Sequence, residues 1–182
     1  MNDGSIPGKP GPVPVSDGVL LARASAVFAE RGFAAATMAE LAAGAGVTKP
    51  TMYAHFGGKD DLYAACVRYQ SEIAQAYLFA AYDTAADFSI DDEIAADMKA
   101  FFAYVGEHPE GFALLVGPQP VGAASDRRES LLAAITDRIA VQMAARVDLD
   151  ASSPAIRQLA GMTVGASLFA VVGSPGRSPV SV

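Results

Sequence analysis

At 182 residues, 52% of them apolar and 18% charged, the chain is long enough for one large or two small packed domains and too apolar to be a disordered polypeptide. Its formal net charge is −7, and its one cysteine, Cys66, excludes a disulfide framework within the chain and points to a reducing, cytoplasmic setting. No basic segment followed by an apolar one opens the sequence, so neither a secretory signal nor a membrane role is expected.

Residues 1–15 hold four prolines and three glycines with little to bury, and read as a disordered leader. Alanine is abundant and β-branched runs are scarce thereafter, which favours helix. A first helix is expected from Ser16 or Asp17 to Arg31, with Leu20, Ala24, Val27 and Phe28 on one face and Gly32 ending it. Thr37-x-x-Glu40 is a capping box that opens a second, short helix, with Met38, Leu41 and Ala42 turned inward. Gly46 relieves the following turn, Thr48 caps a third helix and Pro50 fits that helix's first turn, where a missing N–H costs little. Gly57-Gly58 then breaks the chain before a long fourth helix, from Lys59 toward Tyr82. Further helices follow: one capped by Ser89 and carrying Ile94, Met98, Phe101, Phe102 and Val105, a short one from Pro109, and one carrying Leu131, Ile135, Ile139 and Met143. The last starts at Ser153-Pro154 and is apolar nearly all round from Leu159 to Val172, too short to span a membrane. The two prolines of 117–125 mark a loop, and the end of the chain, 174–182, cannot be helical.

Two short helices joined by a tight turn between longer ones are a helix-turn-helix, a shape that sets one helix into the major groove of DNA. The overall acidity does not oppose this. From Ser16 to Gln70 five basic residues face five acidic ones, the leader is neutral, and the whole −7 lies after Gln70. Phosphate contact needs local donors rather than a basic average, although a neutral head predicts modest non-specific affinity.

The segment Leu20 to Val67 closely resembles the DNA-binding head of the TetR family of bacterial transcriptional regulators. The resemblance rests on F-A-E-R-G-F (Phe28 to Phe33), T-M-A-E-L-A (Thr37 to Ala42), G-V-T-K-P-T-M-Y-A-H-F (Gly46 to Phe56) and K-D-D-L-Y (Lys59 to Tyr63). It implies an all-α fold with a three-helix head over 16–62 and a helical effector-binding and dimerisation body over 63–173. Three departures stand out: Asp17 where the family often has a basic residue, Gly58 where it usually has serine, and a missing ninth helix, the last of the two that the family pairs between subunits.

By this resemblance Tyr53, His55, Thr48 and Lys59 contact phosphates, and Thr37 offers a hydroxyl or a helix N-terminus to another. Lys49, Pro50 and Thr51 meet base edges, Thr51 through its methyl group on thymine. The body would hold a small apolar or aromatic effector among Tyr69, Ile73, Tyr77, Phe101, Phe102, Tyr104, Phe112, Met162 and Phe169, although the same residues serve equally as plain core. Gly161-x-x-x-Gly165, with Phe169, would form a homodimer interface or else pack within the subunit.

Neither His55 nor His108 lies near a ligand set with metal spacing, and no phosphate loop, nucleophile elbow or acid–base pair stands out. No cofactor, metal or enzymatic activity is therefore expected. The leading expectation is a repressor that binds a palindromic operator as a homodimer and is released by its effector. The rival is a shortened regulator that does not self-dimerise stably and acts through a partner or is inactive.

Overall fold

The computed structural model describes residues 16–83, 89–117, 123–147 and 149–172, all of them helix or short connection. The expected leader, the expected tail and most of the 117–125 loop lie outside the described residues. Eight helices follow one another: α1 (Asp17–Ala35), α2 (Met38–Ala45), α3 (Lys49–Phe56), α4 (Lys59–Asp83), α5 (Ile90–Glu107), α6 (Pro109–Val116), α7 (Ala123–Val147) and α8 (Pro154–Val172). Among the described residues there is no strand, so the architecture is all-α.

The chain forms two compact units, one of residues 1–70 and 108–118 and the other of 71–107 and 119–182. The division falls at Gln70 within α4, beyond the expected boundary at Leu62, because Cys66, Val67 and Gln70 are still buried in the first unit and α6 packs on α1.

In the first unit Leu20, Ala24, Phe28, Leu41, Met52, Leu62 and Val67 are almost wholly removed from water. Burial of side chains this size stabilises by about 1.5–3 kcal/mol each, which is why three short helices hold a fixed geometry. The Tyr63 ring meets Phe28 edge-on at 4.9 Å and Phe33 at 5.0 Å, tying α4 to the end of α1. Gly32, expected to end the first helix, lies inside α1 at φ 76°, where the helical path is broken before Phe33. The three capping devices behave unequally. Thr37 and Glu40 form the full capping box, and Thr48 accepts from the Thr51 N–H at 3.3 Å, whereas Ser16 occupies the first N-cap without a side-chain bond.

In the second unit α7 and α8 pack closely around Ala140, Ala144, Ile156 and Ala160, the three alanines letting the two helices approach. Ser89 caps α5 as expected, its hydroxyl oxygen accepting from the Asp92 N–H at 3.3 Å. No described helix is long and apolar enough to cross a membrane.

Candidate nucleic-acid interface and effector cavity

The turn between α2 and α3 is built from its ends. Gly46 caps α2 at φ 75° and ψ 28°, a left-handed conformation that glycine adopts without steric cost. The Arg23 guanidinium reaches from α1 to donate to the Ala45 carbonyl at 2.9 Å, so a cation closes the C-terminus of α2 where the helix dipole favours it. Gly44 lies against Val27, and a Cβ there would come within 2.5 Å of that side chain, so α1 and α2 touch backbone to side chain. Arg23 and Gly44 were not among the expected site residues. A lone arginine on a helix carries no sequence signal for the carbonyl it will meet.

This frame leaves α3 buried through Met52 alone, with Lys49, Pro50, Tyr53 and His55 exposed. The Lys49 ammonium stands 5.8 Å from the centre of the Tyr53 ring, so one cation and one phenol hydroxyl are offered side by side. The hydroxyl oxygens of Thr48 and Thr51 lie 2.8 Å apart in a hydrogen bond, which holds both at the first turn of α3.

Three of the expected phosphate contacts are otherwise engaged. His55 Nδ1 is 2.8 Å from the Asp17 carboxylate, so an acidic side chain of α1 is held against the end of α3. The Thr37 N–H and hydroxyl both donate to the Glu40 carboxylate, at 2.9 and 2.8 Å. Those hydrogen bonds, the hydroxyl's first, hold the Glu40 carboxyl below its usual range, and a phosphate approaching here meets an ionised acid. Lys59 departs furthest from expectation. Its ammonium turns inward to donate to the Phe33, Ala36 and Ala34 carbonyls at 2.9, 3.1 and 3.5 Å, and lies 4.6 Å from the centre of the Phe33 ring.

The second unit holds a cavity of about 390 Å³, within the range of small-molecule sites. Its wall is made by Leu78 of α4, one face of α5 including Ile94, Met98 and Phe101, and facing residues of α7 and α8. Of the nine expected lining residues only Phe101 is there. Tyr69 and Phe112 belong to the first unit, and Tyr104 is buried against Tyr77, ring centres 5.8 Å apart. Ile73 and Tyr77 are half-buried away from the cavity, and Tyr77 donates to Glu107 at 2.6 Å. Phe102, Met162 and Phe169 are exposed instead, at 54, 64 and 75%. A helix that is apolar all round gives no phase, and α8 turns Leu159, Thr163, Val164 and Leu168 to the cavity while Met162, Gly165 and Phe169 lie on another face. The cavity also carries Glu93, Asp97, Gln142 and Arg146, polar residues that the apolar stripes concealed. Their one visible signal was the acidic pair at i, i+4 beside Ile94 and Met98.

Cys66 is buried in the first unit, and burial pushes its thiol up to about 12, so it is a packing residue rather than a reactive one. No cluster suited to a metal ion is present among the described residues.

A sequence profile described as "Bacterial regulatory proteins, tetR family" matches residues 20–66, spanning the turn, the α3 face and the inward contacts of Arg23 and Lys59. Residues 20–66 are thus similar to the DNA-binding head of TetR-family regulators. The curated HTH-type transcriptional activator FasR of Mycolicibacterium smegmatis is 36% identical over 98 residues, 54% of this chain and 44% of that protein. This chain thus spans less than half the length of that relative. Two solved structures share the fold: AibR in complex with isovaleryl coenzyme A and operator DNA (TM-score 0.67, 19% identical, 87% of this chain and 88% of that one), and the regulator FadR from Bacillus subtilis in complex with stearoyl-CoA (TM-score 0.68, 14% identical, 85% and 84%). The family and the curated relative are transcriptional regulators, not enzymes.

Proposed function

We propose that this protein is a ligand-responsive DNA-binding transcriptional regulator that works in the cytoplasm as a homodimer. Its two heads would read a near-palindromic operator in successive turns of the major groove. The exposed face of α3 carries this reading: Lys49, Pro50 and Tyr53 stand clear of a helix anchored by Met52, capped by Thr48 and ended by Gly57. Lys49, Pro50 and Thr51 meet base edges, and Tyr53, His55 and Thr48 meet phosphates.

The dimer reading is supported by α8. Phe169 and Met162 are exposed, and a Cβ added to Gly161 or Gly165 would meet nothing within 4 Å among the described residues, so this small-residue stripe is not filled by them and is open to another helix. The effector is a small molecule with a large apolar part, a reading supported by the cavity wall and by the acyl thioesters bound to AibR and FadR. Leu78 at the cavity and Lys59 at the head belong to one helix, α4, so a ligand that displaces Leu78 shifts a population between two head spacings.

Repression relieved by the effector is the leading outcome, and activation is the second reading, favoured by the FasR relative. Footprinting on the DNA upstream of its own gene tests the core claim. A protected, two-fold symmetric site is expected, and no protection by folded protein at low salt would overturn it. A reporter driven from that site then separates repression from activation.

A further inference from the structure

The cavity wall is apolar with one polar corner, and the charges of that corner do not balance. Glu93 and Asp97 lie one turn apart on α5, and Gln142 and Arg146 one turn apart on α7. The Arg146 guanidinium donates to the Glu93 carboxylate at 2.6 Å, so the one cation among the described wall residues is already matched by one anion. Asp97 remains. Its Oδ1 is buried and has no hydrogen-bond partner among the described residues. The other wall elements bring it no compensation: α4 contributes Leu78, and on α8 the hydroxyls of Thr163 and Ser167 donate to their own helix, to the Leu159 and Thr163 carbonyls at 3.1 and 3.0 Å. A buried carboxylate oxygen without a donor is costly, and the cost is removed by whatever brings it a donor or a positive charge.

Resting on the reading of this cavity as the effector site, we infer that the effector is an apolar molecule bearing a single protonated amine, seated with its nitrogen against Asp97. The alternatives fit less well. A carboxylate or phosphate head would face Asp97 and Glu93 and would have to displace Glu93 from Arg146 to gain a partner. A pure hydrocarbon would leave Asp97 unmet. The volume corresponds to about thirteen waters at ~30 Å³ each, enough for a ligand on the order of ten to fifteen non-hydrogen atoms.

Protonation supplies a second signature. Desolvation first, then the neighbouring Glu93 charge, pushes the Asp97 carboxyl up to about 6. An alkylamine keeps its proton well above neutrality, as lysine does. Amine affinity should therefore be full above neutral pH and fall as pH drops through about 6, when Asp97 takes up a proton.

The test is calorimetric titration of the full chain with three probes sharing a ten-carbon tail: decylamine, decan-1-ol and sodium decanoate, all kept below micelle formation. At pH about 7.5 decylamine should bind about tenfold tighter than decanoate, with decanol between, and Asp97→Asn should remove that advantage. Asparagine matches aspartate in shape, and an unchanged melting curve or a higher one shows that the variant is folded. Decanoate binding as tightly as decylamine, or decylamine affinity unmoved by Asp97→Asn, overturns the amine assignment while leaving the cavity an effector site. Failure of all three probes to bind the folded protein overturns the cavity reading as well.

Discussion

Lys59 separates two roles that a sequence reading merges. As a phosphate contact it would be free to leave the protein, and as placed here it closes the end of α1. Replacing it by methionine keeps the stem over the Phe33 ring and removes the charge. Two well-formed bonds from a half-buried ammonium, to the Phe33 and Ala36 carbonyls at 2.9 and 3.1 Å, contribute about 1.5–2 kcal/mol together after exposure is allowed for. The cation over the Phe33 ring adds about 0.5 kcal/mol. The expected loss is about 2–2.5 kcal/mol, or roughly 5–10 °C in Tm for a chain of this length.

The companion measurement is salt dependence of binding to a short duplex. Each phosphate neutralised by a cation contributes a slope of about −0.9 in log affinity against log salt. Lys49→Met should reduce the slope by about 0.9 per head, and Lys59→Met should leave it unchanged among the molecules that remain folded. If Lys59→Met lowers the slope as Lys49→Met does and barely moves Tm, the clasp is a resting contact that DNA displaces, and the structural role assigned to Lys59 is refuted.

Three further outcomes follow from other contacts. Asp17→Asn removes a negative charge beside His55, and at about 8 Å from a phosphate in water that charge costs about 0.5 kcal/mol, so duplex affinity should rise two- to threefold at low salt; a fall would mean that Asp17 orients His55 for binding. Asp97→Asn should stabilise the protein near neutrality. The folded-state carboxyl is raised to about 6 from 3.8, so wild-type stability is greatest below the unfolded value and declines as pH rises through about 6. With the carboxyl only half shielded, the gain is about 1 kcal/mol at neutral pH and vanishes near pH 4, which urea midpoints across pH would read. Cys66, with its thiol pushed up to about 12, should react with a disulfide reagent only at the rate of opening, so rapid labelling of native protein would contradict its burial.

The head was legible because its local signals agree. Thr37 with Glu40, Thr48 with Pro50, and Gly46 and Gly57 each specify one backbone state, and Leu20, Phe28, Leu41 and Met52 fall where those states need apolar groups. What stayed hidden depends on contacts between residues distant in the chain. Arg23 reaches Ala45, Lys59 reaches Phe33, and Asp17 reaches His55, and no spacing rule predicts which exposed charge turns inward. The cavity failed for another reason. In α5, Phe101 and Phe102 are equally apolar, but they stand about 100° apart around the helix, and only Phe101 reaches the cavity. In α8, apolar residues all round leave Met162 and Leu159 equivalent by composition, although they face different surroundings.

The placement of charges in the head bears on how regulation would operate. Arg23 and Lys59 close helix ends, and His55 is held by Asp17, so on α3 Lys49 stands out as an exposed cation. Under the proposed DNA-binding reading, a head whose charges sum to zero would bind weakly by itself, because non-specific affinity scales with the charges neutralised. Under the dimer reading, the second head then matters more than in a strongly basic protein. Its binding becomes intramolecular, and affinity depends on whether the two heads match the spacing of successive major-groove turns. A ligand that changes head spacing without touching DNA would therefore remove most of the affinity. The same logic makes the open α8 face testable through DNA. Met162→Glu with Phe169→Glu places charge on two exposed apolar positions, so an isolated chain should tolerate both, while a helix pairing across Gly161 and Gly165 should not. The double variant should therefore keep its helicity, melt cooperatively at a lower temperature because the stabilisation by association is gone, become monomeric by light scattering, and lose operator protection in the footprint. Retained protection by a monomer would show that one head suffices, and the weak-head account would be wrong.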